Sequence, residues 1–230
     1  MELGKLLPPV RSEVILSRNS RVPKPPSQRH PLSRARIGTD DALLFTATHE
    51  AGHAVAAVVL GMPLVEVDIR THKDSFGRSA LGVTTCSDRF NHDATDRVAE
   101  ALPRIIQALA GLLAERLVNP RVSESKGHET DVEAAWHLAT IARIPVVFAS
   151  GIRQPPDPSE INRNLPEIEL LIDKATEAAC ELVNDYEAAI NIVAARLLQK
   201  RCLSSKEVNE VVRLHPSPSP GRSYLGHITV

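Results

Sequence analysis

The stretch Thr48-His49-Glu50-Ala51-Gly52-His53-Ala54-Val55 contains the pattern His-Glu-x-x-His between apolar residues. If the stretch is helical, His49 and His53 project from nearly the same side of the helix, because they stand four residues apart. Two imidazoles arranged in this way can bind one zinc ion. The Glu50 carboxylate between them can accept a proton from a water molecule at the metal. The pattern therefore predicts a zinc-dependent hydrolytic site that needs a third ligand from elsewhere.

The residues around this stretch predict a long, buried helix over residues 41–60. Thr39 or Asp40 is a suitable N-cap, Gly61 a suitable stop, and Pro63 follows just beyond. A buried helix must satisfy its polar side chains, and a metal ion would do so for the two histidines. The alternative is that both histidines make ordinary hydrogen bonds. The apolar face consists of Leu44, Ala47, Ala51, Ala54, Val55, Val58 and Val59.

The third ligand is not contained in the same helix. The extended pattern H-E-x-x-H-x-x-G-x-x-H is absent, because Ala56 and Val59 stand where its Gly and third His would be. A distant element must therefore supply the ligand. The residues alone leave five candidates open: Glu100, Glu115, His128, Glu129 and Asp131.

The remaining patterns predict a mainly α-helical domain with a small β-sheet, which is the α+β class. Alternation of apolar and polar residues predicts strands over 64–70 and 80–85, and Gly82 leaves room there for another backbone. The capping box Ser204-x-x-Glu207 predicts a last helix that ends at Leu214. Between the strands and this capping box we expect four helices, over residues 94–118 (capped by Asp93 and kinked at Pro103), 130–149, 167–184 and 187–200, with a proline-rich connector over 152–165.

Composition limits the classes of protein that the chain can represent. The net charge of −1 argues against a nucleic-acid binder, and no run of about 18 apolar residues predicts a membrane span. The N-terminus also lacks the apolar region of a signal peptide. Three widely separated cysteines argue against a disulfide framework and a thiolate zinc site, and they favour a reducing cytoplasm.

Charge and proline content divide the chain into three parts. Residues 1–38 contain eight Lys/Arg, two Asp/Glu and six of the seventeen prolines, which predicts a basic and partly disordered arm. Residues 39–214 are expected to form the metallopeptidase domain. Residues 215–230 are expected to form a flexible tail. The arm could contact an acidic partner, but a solvated tail is the simpler interpretation.

Several segments together resemble the peptidase domain of the FtsH family of ATP-dependent zinc proteases. The resemblance covers about residues 40–213, and its specificity comes from the order of the segments. They are His49-Glu50-Ala51-Gly52-His53-Ala54-Val55, Ala80-Leu81-Gly82-Val83-Thr84, Leu109-Ala110-Gly111-Leu112-Leu113-Ala114-Glu115-Arg116-Leu117-Val118, Gly127-x-x-x-Asp131-Val132-x-x-Ala135 with Ala139, and Arg196-Leu197-Leu198 followed by Ser204-x-x-Glu207-Val208.

The resemblance implies an FtsH-type helical zinc peptidase domain with one zinc ion per chain. In that family the third ligand is an aspartate four residues after a glycine, which Asp131 matches. His49 and His53 would be the other ligands, and Glu50 the catalytic base. Residues of the second strand could hold an extended substrate by backbone hydrogen bonds, or the strand could be purely structural. His128 stands where the family usually has a small residue; it could donate to a developing oxyanion, hold Asp131 in place, or be a plain loop histidine. The strand residues are Leu81, Gly82, Val83 and Thr84.

The chain also departs from that family. It contains no G-x-x-x-x-G-K-[ST] motif and no apolar run of about 18 residues, so we expect neither the AAA+ ATPase domain nor the membrane helices of that family in this chain. The expected activity is endopeptidase cleavage of unfolded or flexible polypeptides without intrinsic ATPase activity. A separate ATPase could feed it, and the resemblance suggests a hexamer. The alternative is a non-proteolytic adaptor that keeps the peptidase fold to bind an ATPase or FtsH-like partner.

Overall fold

A computed structural model describes residues 39–70, 72–73, 79–80, 82–87, 91, 94–119, 129–144, 148–149, 152–153, 157–219 and 223–225. The predicted basic arm, residues 1–38, lies outside these ranges. The described residues confirm a mainly helical α+β fold. Its helices are α1 (Thr39–Val59), α2 (Arg97–Glu115), α3 (Glu129–Arg143), α4 (Pro158–Asp185), α5 (Glu187–Lys200) and α6 (Ser205–Leu214).

Helix α1 is close to its predicted bounds, and Gly61 follows it with a φ of 72°, which a glycine adopts without strain. The capping box that precedes α6 is also present. The Glu207 side chain accepts from the backbone N–H of Ser204, and the Ser204 side chain accepts from the backbone N–H of Glu207. The stop of α1 and the capping box of α6 were predictable because each depends only on residues within one turn, whereas the predicted N-caps Thr39 and Asp40 both lie inside α1.

Three predicted helix ends are wrong. Helix α2 is capped by Asp96, whose side chain accepts from the Ala99 amide at 2.9 Å, and the predicted cap Asp93 lies outside the described residues. Helix α3 ends at Arg143 because Pro145 disfavours helical backbone at the preceding residue. Helix α4 begins nine residues earlier than predicted, since Asp157 caps it and Pro158 occupies a first-turn position that tolerates proline.

A small antiparallel sheet lies against α1. Its strands are β1 (Leu64–Asp68), β4 (Val83–Cys86) and β7 (Cys202–Ser204), in the order β4-β1-β7. In the register, Val67 lies opposite Thr84 on one side and Leu203 on the other. Strand β7 was not predicted, because three residues are too few to show alternation. Two-residue hairpin strands complete the described elements: β2 (His72–Lys73) with β3 (Ser79–Ala80), and β5 (Phe148–Ala149) with β6 (Ile152–Arg153).

Helix α1 is the centre of the core. It packs against α2, α5, α6 and the sheet, and its residues from Ala54 to Ala57 are completely buried. At Gly52 the approach of α2 is so close that an added Cβ would lie 2.5 Å from the Ala114 Cβ and 2.6 Å from the Ala110 carbonyl oxygen. Close packing of this kind fixes the rotation of α1, and with it the direction of every side chain that α1 carries.

By length and composition alone, α1 would pass as a membrane-spanning helix. Over Asp41–Val59 its mean hydropathy is 1.2, and it is the one helix among the described residues that meets this test. Core helices of globular proteins meet the same test. In this fold 56% of the window is buried by the rest of the protein, which accounts for its apolar composition.

Candidate metal centre and active site

Helix α1 places the three residues of the sequence pattern on its buried side. His53 is 6% exposed and Glu50 is 7% exposed, while His49 is half-buried. The Nε2 atoms of His49 and His53 lie 3.0 Å apart. The helical spacing has thus brought both imidazoles to one point, as their four-residue separation predicts.

Asp131 joins them from the first turn of α3. Its Oδ2 atom lies 2.9 Å from Nε2 of His49 and 3.4 Å from Nε2 of His53. Ligand atoms of a tetrahedral zinc site lie about 3.3 Å apart, given metal–ligand distances of about 2.0–2.1 Å. Among the described residues, this is the one group of three or more His, Cys, Asp or Glu that is spaced to hold a metal ion.

The far side of each imidazole is held by α2. Nδ1 of His53 donates to the Gln107 carbonyl oxygen at 2.8 Å. Nδ1 of His49 lies 3.3 Å from a carboxylate oxygen of Glu115, whose other oxygen accepts from the Asn119 side chain at 2.9 Å. A proton on each Nδ1 leaves the lone pair on Nε2, which is the tautomer that a metal ligand needs.

A glycine on α2 provides the space for His53. A Cβ added at Gly111 would overlap the His53 imidazole, closest to Nε2 and Cε1. Any other residue there would displace the ring that α1 directs toward Asp131. Gly111 lies in one of the segments that carry the resemblance, but no local pattern predicts this role, since the contact joins positions 58 residues apart.

The electrostatics of the cluster favour a positive charge at its centre. Burial lowers the pKa of His49, but its hydrogen bonds to Asp131 and Glu115 outweigh this and raise the pKa to about 10. Burial likewise raises the pKa of Asp131, and its hydrogen bonds with His49 and His53 outweigh this and hold the pKa below its usual value. The carboxylate is therefore ionised and the surroundings stabilise a cation.

The donor set fits a zinc ion. Two neutral imidazole nitrogens and one carboxylate oxygen are three acceptors. Three acceptors at contact distance repel one another unless a proton or a cation lies among them. Nitrogen and oxygen ligands in a three-residue set, with a fourth position open, are typical of catalytic zinc sites. His49, His53 and Asp131 are thus the residues that would hold the ion.

Glu50 lies against the sheet. Its Oε2 accepts from the Thr84 hydroxyl at 2.8 Å, and a Cβ at Gly82 would lie 2.6 Å from its Oε1. The space at Gly82 therefore serves a side chain, whereas we had predicted the approach of another backbone. Of the other strand residues proposed to hold substrate, Val83 is 38% exposed on β4, and Leu81 lies outside the described residues.

The remaining candidates for the third ligand have other positions. Glu115 faces His49 from the side opposite to Asp131. Glu100 accepts from the Asn91 amide and lies 3.3 Å from an Arg104 nitrogen. Glu129 is exposed at the start of α3. His128, the predicted supporting residue, lies outside the described residues.

The chain is similar in sequence to several ATP-dependent zinc metalloproteases. The chain is 24% identical over 200 residues to an ATP-dependent zinc metalloprotease FtsH of Rhodococcus erythropolis, covering 79% of this chain and 23% of that protein. It is 29% identical over 202 residues to FtsH 1 of Symbiobacterium thermophilum, covering 83% of this chain and 32% of that protein. The chain is also 25% identical over 181 residues to FTSH 9, chloroplastic/mitochondrial, of rice, covering 76% of this chain and 22% of that protein.

No family model matches the chain. The relatives nevertheless confirm the resemblance that the sequence segments indicated, at 23–29% identity over about four fifths of the chain. The similarity is consistent with an FtsH-like peptidase domain. The chain spans between about a fifth and a third of the length of the curated relatives that it matches.

Proposed function

We propose that the chain is a zinc-dependent endopeptidase that cleaves unfolded or flexible polypeptides without ATPase activity of its own. The observation that carries this proposal is the convergence of His49, His53 and Asp131 within 3.4 Å beside the buried carboxylate of Glu50. The matched relatives, all named as zinc metalloproteases, support the same class of reaction. The proposal of one zinc ion per chain is supported by the one such cluster among the described residues.

The residues of the chain divide the reaction among themselves. Zinc, when bound, would supply a Lewis acid that activates water and polarises a peptide carbonyl. Glu50 accepts the proton of the attacking water and passes it to the departing amine as the C–N bond breaks. Gln107 and Glu115 accept from the Nδ1 atoms of the two imidazoles and so direct both Nε2 atoms toward the position of the ion, and the partial burial of the site limits access of bulk water.

Strand β4 is the proposed binding edge for the substrate. Within the described sheet it is an edge strand, and it lies beside Glu50. An extended peptide could add to this edge by backbone hydrogen bonds, which gives affinity without demanding a particular sequence. Such a mode requires an unfolded or flexible substrate.

The test uses the purified chain loaded with zinc, an unfolded casein substrate and no ATP. We expect cleavage by the wild type, and a loss of at least about 100-fold in Glu50→Gln with the zinc content unchanged. His53→Ala and Asp131→Ala should lose the zinc. Cleavage by Glu50→Gln at the wild-type rate would contradict the assignment. A wild-type chain that binds no metal but binds an ATPase or FtsH-like subunit would instead favour the non-proteolytic adaptor.

The proposal includes partners and a compartment. Since the relatives are named ATP-dependent, a separate ATPase could deliver folded substrates to this chain, which we propose forms a hexamer. Native mass measurement tests the hexamer, and degradation of a folded substrate on addition of the ATPase tests delivery. None of the three cysteines forms a disulfide, and we propose a reducing compartment such as the cytoplasm.

A further inference from the structure

We infer that Thr84 is a positioning residue for the catalytic base, and this inference rests on the proposed function. The Thr84 hydroxyl lies 2.8 Å from Oε2 of Glu50 and 3.2 Å from the Glu50 carbonyl oxygen. A hydroxyl has one proton to donate, and an ionised carboxylate is the stronger acceptor at the shorter distance. Thr84 therefore donates to the Glu50 side chain.

The other oxygen of Glu50 is confined as well. A Cβ at Gly82 would lie 2.6 Å from Oε1, 2.7 Å from Cγ and 2.9 Å from Cδ of Glu50, so the side chain occupies the space that a residue with a Cβ would fill. The backbone of Gly82 does not have a positive φ, so conformational freedom does not explain the glycine. The carboxylate thus lies between the Gly82 backbone on one side and the Thr84 hydroxyl on the other.

Because of this confinement, strand β4 determines the position of the Glu50 carboxylate. Glu50 belongs to α1, but the groups that fix its carboxylate belong to β4 and the residue just before it. Thr84 lies opposite Val67, which is completely buried in β1, so the strand that carries the hydroxyl is itself anchored. A peptide that pairs with the edge of β4 would be held by the same strand that holds the base.

If Glu50 could rotate freely, kcat should fall more than the affinity for the substrate. A base acts only when it stands within hydrogen-bond reach of the proton that it accepts. Loss of one hydrogen bond to a charged group costs about 1.5–3 kcal/mol. If that cost falls on the reacting geometry alone, it lowers kcat by about 10- to 100-fold and leaves KM unchanged.

The experiment compares Thr84→Val, which keeps the shape and removes the hydroxyl, with Thr84→Ser, which keeps the hydroxyl. The substrate is an internally quenched, unstructured peptide with the zinc-loaded chain. We expect Thr84→Val to lose about 10- to 100-fold in kcat with KM within about twofold, and Thr84→Ser to stay within about threefold of the wild type. Zinc content should be equal in all variants.

Thr176→Val is the matched control. Thr176 is buried, whereas Thr84 is half-buried, and the Thr176 hydroxyl donates to the Ile172 carbonyl oxygen at 2.7 Å on α4, outside the site. It should keep the wild-type kcat. Equal kcat in Thr84→Val and the wild type would overturn the inference, and so would equal losses in Thr84→Val and Thr84→Ser, since kcat would then not depend on the hydroxyl that Thr84→Ser keeps.

A second readout does not depend on cleavage. In protein labelled with ¹³C at the glutamate carboxyl carbons, the Glu50 resonance is identified by its loss in Glu50→Gln. We expect this resonance to shift in Thr84→Val at constant pH and to keep its position in Thr176→Val. A wild type that lacks zinc-dependent cleavage would contradict the proposed function, and the carboxyl resonance would then decide alone. An unshifted resonance in Thr84→Val would overturn the inference in either case.

Discussion

At the scale of single residues, Glu115 holds the His49 imidazole through its Nδ1 atom. Its carboxylate lies 3.3 Å from Nδ1 of His49 and is itself bonded to Asn119. Loss of such a supporting carboxylate typically weakens metal binding by about 10- to 100-fold. We expect Glu115→Gln to reduce zinc affinity by this factor, as measured by competition with a chelator.

Glu100→Gln is the control for that change. Glu100 lies on the same helix, but it contacts Asn91 and Arg104 and not the histidines. It should bind zinc like the wild type. Equal zinc affinities for the Glu115 and Glu100 variants would show that the ligand His49 needs no support from α2.

Gly82 is the second residue whose role can be tested singly. An alanine there would place its Cβ 2.6 Å from Oε1 of Glu50, so the carboxylate must move. We expect Gly82→Ala to bind zinc normally and to lose most of its cleavage activity, since the ligands are untouched and the base is displaced. Wild-type kcat in this variant would show that Glu50 can adopt another productive position.

At the scale of elements, the contact between α1 and α2 depends on Gly52. An alanine in place of a helical glycine normally stabilises by about 1 kcal/mol. Here its Cβ would lie 2.5 Å from that of Ala114, and overpacking of this kind costs about 1–3 kcal/mol. We expect Gly52→Ala to lower the free energy of unfolding in urea. A variant as stable as the wild type, or more stable, would show that α2 can move away from α1 without loss of stability.

The start of α6 gives a pH dependence. The Lys200 ammonium and the Ser204 backbone and hydroxyl groups lower the pKa of Glu207 from 4.5 to about 2. Because the folded state has the lower pKa, the contribution of Glu207 to stability is present above about pH 4.5 and is lost as the pH falls toward 2. In metal-free protein, the Tm advantage of the wild type over Glu207→Gln should shrink across this window. A constant difference would contradict the role of the ionised carboxylate.

Elements also show where sequence reasoning reaches its limit. The capping box and the bounds of α1 depend on neighbouring residues and were predictable. Helix α4 was predicted to begin after Pro166, yet this proline lies inside the helix, because the cap Asp157 starts it earlier. Strand β7 exists only because β1 pairs with it, and pairing between distant segments leaves no local pattern.

At the scale of the whole molecule, the site also combines features that local sequence predicts with features that depend on contacts between distant segments. The positions of His49 and His53 followed from helical spacing, whereas spacing left five candidates for the third ligand and only the resemblance selected Asp131. The contacts of Gln107, Gly111 and Thr84 with the site could not be read from the sequence. Each joins α1 to an element that lies 34 to 58 residues away, and tertiary packing alone determines which of its atoms face inward.

Because the proposed ligands lie on both α1 and α3, zinc binding should stabilise the whole fold. A ligand that binds only the folded state at 100 times its Kd adds about 2.7 kcal/mol, which in a domain of this size corresponds to a rise in Tm of about 5–11 °C. We expect a chelator to lower the Tm of the wild type by this amount. Glu50→Gln should respond in the same way, since Glu50 is not a ligand, whereas Asp131→Ala should respond little. An equal response of Asp131→Ala would place the stabilising metal elsewhere, and the assignment of the third ligand would then be wrong.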